Sequence, residues 1–402
     1  MKLMAVHQGG GLGGAPVSLL TLLRALGERG RVCPEVVFTE PGSVLDYAAE
    51  LRVPARVVPT GGAFFYSAHA RLGPRRLARF VRTFPAAVQQ ARGVLRRDRP
   101  DLLHLNTSVL LAWAAAARRE HVPVVWMVRE VLGPNPRLRA WHARFIVRHA
   151  RRVVAISDAV RACFPAEARV ERVYNAVDLH AFRLDLLAER ARVRAELGLP
   201  TDAPTLMAIG SVQLPKGHWL LLDAFERLPP ATWLVLVCGG VGPAYAHSLR
   251  GRLKRAFGQP LDALDALLRD ASRRGVAERI VVTGFRVDVP RLLAAADVLA
   301  FPSLAAEGFG RPIIEAMAMA RPVVATAVGP SAELLGPQAG LLVPPDASAL
   351  AGALGELLAS PERREALGRA GRRRVEACFT LERQAADMLA VYEQAASSLV
   401  RA

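Results

Sequence analysis

Lysine is almost missing from this sequence. Lys2, Lys216 and Lys254 are the only three among 53 basic residues, and arginine makes up the rest. Alongside abundant alanine, that imbalance fits a GC-rich coding bias at least as well as a selected basic surface. The formal net charge of +17 therefore favours anionic partners without singling out nucleic acid. Aromatic residues are few, at 6%, and no aromatic platform accompanies the charge, so nucleic acid is not expected as a partner. Cysteine is scarce too. Cys33, Cys163, Cys238 and Cys378 are scattered and form no C-x-x-C pair, which argues against a disulfide framework or a zinc site and points to a reduced, cytoplasmic setting. No apolar run approaches the ~18–20 residues of a spanning helix. The apolar start of the chain is too short for a signal peptide. The expectation is a protein that is soluble or bound at a membrane surface. No Asp-x-Asp occurs, so no catalytic metal is implied.

What is present is a chain of 402 residues, 52% apolar, long enough for two ordinary domains with their own cores. Residues 3–6 read as a strand, residues 9–14 as a glycine loop and residues 17–26 as a helix, followed by a strand at 34–38. Gly9, Gly11 and Gly14 satisfy G-x-G-x-x-G, with Glu40 as a distant candidate for a ribose. That leaves a nicotinamide-dependent oxidoreductase as an alternative, although five glycines in six residues match many patterns and a tight turn is the plainer reading. Further apolar strands at 101–106, 124–130 and 152–157 end in polar residues, with helices between them, which predicts a doubly wound α/β sheet. Ligands in such sheets bind beyond the carboxyl ends of the strands. Gly13, Gly14, Asn106, Arg129, Glu130, Ser157 and Asn175 fall along that rim, Ser157-Asp158 also reading as a helix cap.

Residues 72–98 are arginine-rich and amphipathic, with Leu77, Phe80, Val81 and Phe84 at helical spacing between Arg75, Arg76, Arg79 and Arg82. An ordinary surface helix and a helix resting on anionic lipid are both open readings. Pro85 predicts a break into two shorter helices. The stretch from Arg71 to Arg97 makes an anionic membrane surface a candidate partner, with a lipid-linked or cell-surface polysaccharide acceptor and a peripheral position on the inner face of the membrane.

Pro200 to Pro204 reads as a linker, after which alternation restarts. Strands are expected at 205–209, 233–238, 280–283, 298–301 and 322–325, an irregular insertion at 239–260, and a last helix at 381–399 capped by Thr380. The segment from Ser303 to Ala320 organises this half. A glycine-flanked turn, Gly308-Phe309-Gly310, precedes a helix opened by Pro312, so free backbone N–H groups at a positive helix end can meet phosphate. Glu307 precedes that helix and Glu315 is placed in its first turn. Carboxylates do not bind phosphate but accept from hydroxyls, and Lys216 supplies a cation after the strand at 205–209. Phosphate plus several hydroxyls describes a nucleotide-sugar. The plainer alternative makes Glu315 a partner of the helix dipole and Glu307 an exposed turn residue.

The segment from Glu307 to Ala318 resembles the E-x7-E signature of the retaining GT-B glycosyltransferases of family 4. Similar to that family are also residues 284–290, 321–326 and 340–345, with Gly13-Gly14-Ala15 and residues 173–178 in the front half. The resemblance implies two Rossmann-like domains facing a cleft. Residues 1–180 would be an acceptor-binding domain, residues 200–380 a nucleotide-sugar domain, and the final helix (381–402) would cross back to the first. It implies hexosyl or N-acetylhexosaminyl transfer from a nucleotide diphosphosugar, UDP-linked in preference to GDP-linked, to a hydroxyl acceptor of a polysaccharide, lipopolysaccharide or glycolipid. The only co-substrate implied is that donor.

By position, Glu307 would take donor sugar hydroxyls beside Gly308, Phe309 and Gly310, and Glu315 the ribose. Lys216 and Gly210 would meet the diphosphate, and Phe285, Arg286 and Val287 the base. Gly13, Gly14, Asn106 and Asn175 would line the acceptor side. Three positions depart from the family pattern: Ser211 stands for an arginine on the diphosphate, Arg129 for a histidine near the sugar, and Arg311 for a leucine. Arg129 or Arg311 is expected to replace the lost cation, Arg129 being alternatively an ion-pair partner of Glu130. A degenerate, non-catalytic nucleotide-sugar-binding protein is the other reading those departures leave open.

Overall fold

Short apolar runs, each flanked by turn residues, become the strands of two separate parallel sheets in the computed structural model, which describes residues 1–68, 72–239, 248, 252, 254, 257 and 259–397. The chain divides into two compact units. The first holds Met1–Asp178, Ala306–Phe309 and the chain from Cys378 onward; the second holds Leu179–Ala305 and Gly310–Ala377.

In the first unit the strands are β1 (Lys2–His7), β2 (Cys33–Phe38), β3 (Ala55–Val57), β4 (Leu102–Leu105), β5 (Val124–Val128), β6 (Arg152–Ala155) and β7 (Val170–Arg172). They lie in the order β3-β2-β1-β4-β5-β6-β7, all parallel, with Leu3 opposite both Pro34 and Leu102. Between them run α1 (Gly14–Glu28), α2 (Val44–Glu50), α3 (Pro74–Asp98), α4 (Leu111–Arg119), α5 (Pro136–His149) and α6 (Asp158–Arg161). Helix α1 forms because Leu19, Leu20, Leu22, Leu23 and Leu26 share one fully buried face on the sheet.

The break expected at Pro85 does not occur, and α3 runs unbroken through it. Proline removes one backbone donor and crowds the preceding turn. Here the turns on both sides retain helical bonding, and Ala87, Val88, Ala91, Val94 and Leu95 bury the second half. Arg71, at the start of the arginine-rich stretch, lies outside the described residues.

In the second unit the strands are β8 (Thr205–Ile209), β9 (Trp233–Val237), β10 (Ile280–Val282), β11 (Val298–Phe301), β12 (Val323–Thr326) and β13 (Leu341–Val343), ordered β10-β9-β8-β11-β12-β13 and again parallel. Its helices are α7 (Arg190–Glu196), α8 (His218–Phe225), α9 (Ala263–Arg273), α10 (Val289–Ala295), α11 (Arg311–Ala318), α12 (Ser331–Leu335), α13 (Ala347–Ala359) and α14 (Pro361–Cys378). Leu221, Leu222, Phe225, Leu350 and Leu354 pack on the sheet from α8 and α13. Most of the expected insertion at 239–260 lies outside the described residues.

Residues 200–204 are not a loose linker, since the chain changes unit at Asp178–Leu179. Arg194, 1% exposed, donates to the carbonyls of Pro200, Ala203 and Ala295, which ties this segment into the second unit. The last helix, α15 (Leu381–Ser397), packs against α1, β4 and β5 of the first unit. Its N-terminus is capped by Thr380, whose hydroxyl accepts from Arg383 N at 3.3 Å.

Each sheet has one place where successive strands depart in opposite directions. It lies between β1 and β4 in the first unit and between β8 and β11 in the second. Ligands of open α/β sheets bind at such points, beyond the carboxyl ends of the strands.

Candidate active site

In the first unit the switch point carries a buried polar network. Arg129, following β5 and 6% exposed, donates from Nε to Asn106 Oδ1 at 2.6 Å and from Nη1 to Asn175 Oδ1 at 2.8 Å. Ser18 of α1 also donates to Asn175, at 3.1 Å. Asn106 Nδ2 lies 3.0 Å from His7 Nδ1, and its Oδ1 lies 3.4 Å from His104 Nε2. Tyr392 of α15 closes the network 2.8 Å from His104 Nδ1. Burial pushes His7 and His104 down to about 3, and the positive Arg129 pushes the same way, so both rings are neutral. Burial also raises the Tyr392 phenol, which stays protonated.

The Glu130 carboxylate accepts from the Thr107 hydroxyl, from Ser108 N at 2.9 Å and from Arg129 N at 3.3 Å, fixing the loop after β4. Ser157 caps α6 by accepting from Val160 N, as its position suggested, and donates to the Gly308 carbonyl at 2.7 Å. Gly308 belongs to the segment Ala306–Phe309 that the first unit retains. A Cβ there would lie 1.9 Å from the Arg129 carbonyl, so only glycine fits. Phe309 is 4% exposed and packs with Tyr174 and Phe379, at centroid distances of 6.0 and 6.2 Å. Glu307, half-buried, sits in this pinned segment.

The glycine loop after β1 is shaped chiefly by a residue outside the fingerprint. A Cβ on Gly10 would collide with the carbonyls of Glu40 and Pro41, whereas Gly11 and Gly13 face open space. Gly13 caps α1 in extended backbone and Gly14 begins it. Glu40 accepts from Gln8 Nε2 at 3.2 Å.

In the second unit the loops after β8 and β11 meet at the other switch point. Leu304 N and Ala305 N both donate to the Pro215 carbonyl, at 2.8 and 3.2 Å. Gly217, at φ +69°, lies so near Pro302 that a Cβ would sit 1.8 Å from its carbonyl oxygen. Lys216, held between these anchors, folds over Gly210, where a Cβ would lie 3.3 Å from its Nζ. Gly210 itself has φ +134°. Exposed Ser211 accepts from Gln213 Nε2 at 3.0 Å. Thr326, at the end of β12, donates to the Ser303 carbonyl at 2.5 Å and steadies the start of the β11 loop.

Helix α11 begins at Arg311, after Gly310 in the left-handed region at φ +98°. Glu315 is therefore one turn inside the helix and not in its first turn. It is 6% exposed and accepts from Arg311 Nη2 at 2.6 Å. On the loop after β10, Phe285 and Val287 are 56% and 64% exposed, while Arg286 grips Asp288 bidentately at 2.7 and 2.6 Å.

The structure thus joins Asn106, Arg129 and Asn175 in one unit, and Gly210, Lys216 and the Leu304–Ala305 backbone in the other. His7, His104, Tyr392 and Ser18 had not been singled out in the sequence. A polar residue inside an apolar strand, as at Leu102-Leu103-His104-Leu105, must find a buried partner and is a usable signal. Tyr392 gives none, because its partner lies 288 residues away. Among the described residues no group of three His, Cys, Asp or Glu side chains is placed to hold a metal.

Comparison with known proteins matches this arrangement. Residues 12–181 match the family model described as Glycosyltransferase Family 4, and residues 203–360 the one described as Glycosyl transferases group 1. A D-inositol 3-phosphate glycosyltransferase from Xylanimonas cellulosilytica is 32% identical over 419 residues, covering 96% of this chain and 93% of the relative. Among solved structures, HepE of Anabaena superposes with a TM-score of 0.76 at 23% identity, over 97% of this chain and 100% of that one. Sucrose-phosphate synthase of Thermosynechococcus elongatus does so with a TM-score of 0.73 at 21% identity, over 99% of each.

Proposed function

The chain belongs to glycosyltransferase family 4 and has the GT-B fold, and from that premise we propose that it transfers a sugar from a nucleotide diphosphosugar to an acceptor hydroxyl with retention at the anomeric carbon. The observation that carries the proposal is the second unit's switch point, where the Pro215 carbonyl straps the Lys216 turn to the Leu304–Ala305 backbone. A cation so fixed suits a diphosphate.

Lys216 and the N–H groups at the start of α11 take the diphosphate, Glu315 the ribose hydroxyls and Glu307 the hydroxyls of the donor sugar. The Phe285–Val287 loop lies against the base, beside Gly210 and Ser211. Arg129 adds positive charge toward the leaving group, with Asn106 and Asn175 aiming it. As the bond from the anomeric carbon to the diphosphate breaks, its electron pair stays with the diphosphate oxygen. The acceptor oxygen bonds the same face of the anomeric carbon, and its proton passes to that phosphate oxygen. No protein nucleophile takes part. Preorganised donors at the developing charge are worth about 10²–10³ in rate each.

UDP is the preferred nucleotide, a reading supported by the HepE structures described with UDP, glucose and UDP-glucose. The acceptor class is a polysaccharide, lipopolysaccharide or glycolipid under assembly. The relative named for D-inositol 3-phosphate supports a hydroxyl-rich acceptor bearing phosphate. Residues 1–180 with the last helix receive that acceptor, at the Gly13–Gly14 end of α1, and residues 200–380 hold the donor. Among the described residues no helix is long and apolar enough to cross a membrane. The chain works in the cytoplasm on the inner membrane face.

The test is a donor and acceptor screen by mass spectrometry, with the anomeric configuration of the product read by NMR. Lys216→Ala and Glu307→Ala are expected to abolish transfer and EDTA to leave it intact. Strong inhibition by EDTA, or an inverted product, refutes this mechanism. Nucleotide-sugar binding without turnover in the wild-type chain supports the degenerate alternative instead.

A further inference from the structure

The two halves of α3 differ in a way its function in the fold does not explain. From Ala87 onward the helix is anchored, with Ala87, Val88, Ala91, Val94 and Leu95 buried. From Pro74 to Ala86 no residue is buried, although the segment carries Leu77 (44% exposed) and Val81 (61% exposed). The arginines divide along the same line. In the anchored half Arg92 and Arg96 pair with Glu120, and Arg97 with Asp98. In the solvent half Arg75, Arg76, Arg79 and Arg82 have no carboxylate within ion-pair distance among the described residues.

Apolar surface continues from this half-helix onto α5. Phe80 of α3 packs on Phe64 with centroids 5.1 Å apart, and Phe64 packs on Trp141 of α5 at 5.3 Å. Trp141 is 44% exposed. It borders an open pocket of about 570 Å³ shared with Tyr66, Leu72, Asn135, Arg137 and Leu138. The pocket has a rigid floor, because the Tyr66 ring lies where a Cβ on Gly133 would stand, and its hydroxyl accepts from Asn135 N at 2.7 Å. Neither α5 nor α3 before Asp98 contains an acidic residue.

We propose that this face docks on the headgroup layer of an anionic lipid bilayer. Arg75, Arg76, Arg79 and Arg137 meet lipid phosphates, and Leu77, Val81 and Trp141 enter the acyl boundary. Exposed apolar side chains between unneutralised arginines are the pattern an interfacial helix presents to lipid. A soluble partner face of this charge would need a matching acidic patch; a membrane supplies the opposite charge as a surface potential, with about 1 kcal/mol per basic residue near it. The pocket follows Arg129 by five residues of the same loop, at most about 18 Å of extended chain. A membrane-borne acceptor held there therefore stays near the network around Arg129. In naming a membrane-borne acceptor as the substrate class the proposal rests on the transfer reading, but docking itself requires no turnover.

The experiment is co-sedimentation of the full chain with phosphatidylcholine vesicles, with and without phosphatidylglycerol, at low and high salt. Binding is expected only with phosphatidylglycerol and is lost at high salt. Arg75→Glu/Arg76→Glu/Arg79→Glu together are expected to weaken it at least about a hundredfold, while hydrolysis of UDP-glucose continues at the wild-type rate. In the unaltered protein, vesicles containing brominated lipid are expected to quench tryptophan emission, and Trp141→Phe to remove that quenching. This second measurement holds even if the triple variant misfolds. Absence of binding at low salt, equal binding by a folded triple variant, or quenching that survives Trp141→Phe overturns the proposal. A chain that docks as described but neither transfers nor hydrolyses sugar leaves the docking standing and refutes the transfer reading.

Discussion

Arg129 directs two of its nitrogens at amide oxygens, those of Asn106 and Asn175. An amide oxygen accepts from a guanidinium and fixes its orientation while carrying no formal charge of its own. Arg311 is held by a carboxylate, that of Glu315. The two arginines that stand where the family has other residues are therefore not equivalent. Arg129→Ala is expected to lower kcat by about 10²-fold or more. Arg311→Ala is expected to raise the donor KM with a smaller change in kcat, because it leaves Glu315 without its partner. Steady-state kinetics on both variants measures this, and unchanged turnover in both retires the idea that either replaces the cation missing at Ser211. Gly308→Ala tests the pinned segment, since its Cβ would meet the Arg129 carbonyl at 1.9 Å. Lost transfer and a lower Tm are expected, and wild-type behaviour would mean the loop relaxes freely. At this scale the Gly308–Gly310 turn and the helix that follows it were legible because the pattern lies within a few residues. His104 and Tyr392 were hidden because their roles come from contacts between remote segments.

Elements were legible where a run of apolar residues is bounded by turn formers. The strands at 205–209 and 298–301 coincide with β8 and β11 residue for residue. Three strands were not recognised as such. β3, β7 and β13 are three residues each, and pairing with a neighbouring strand defines them. Pro85 misled for a different reason: a proline's local cost of about 3 kcal/mol is outweighed when the helix on one side is firmly buried. The cost should still be present, so Pro85→Ala is expected to stabilise α3. It restores a donor toward the Val81 carbonyl and should raise amide protection over residues 78–86 in hydrogen exchange. Unchanged or lower protection would mean that the proline is accommodated without cost.

Across the molecule, neutral buried histidines couple both units to pH. Burial holds His7 and His104 at about 3 and His142 at about 4 in the first unit. In the second unit burial and the charge of Lys216 hold His218 at about 4. An unfolded chain takes up these protons near 6.5, the ordinary histidine value. Above that value neither state binds them, and the stabilising effect of burial is complete. As pH falls below it, the unfolded state binds protons that the folded state refuses, so stability drops continuously toward pH 3–4. Between about pH 6.5 and pH 5 each histidine forfeits roughly 1–2 kcal/mol. Melting followed by circular dichroism is expected to show a Tm that is level from about pH 8 to pH 7 and falls steadily by pH 5. The slope arises from protonation of the unfolded chain, so His104→Gln should flatten it in part even where it lowers the Tm at neutral pH. A Tm independent of pH over that window would mean that these rings take up protons within the folded protein, and that the network around Arg129 tolerates a second positive charge.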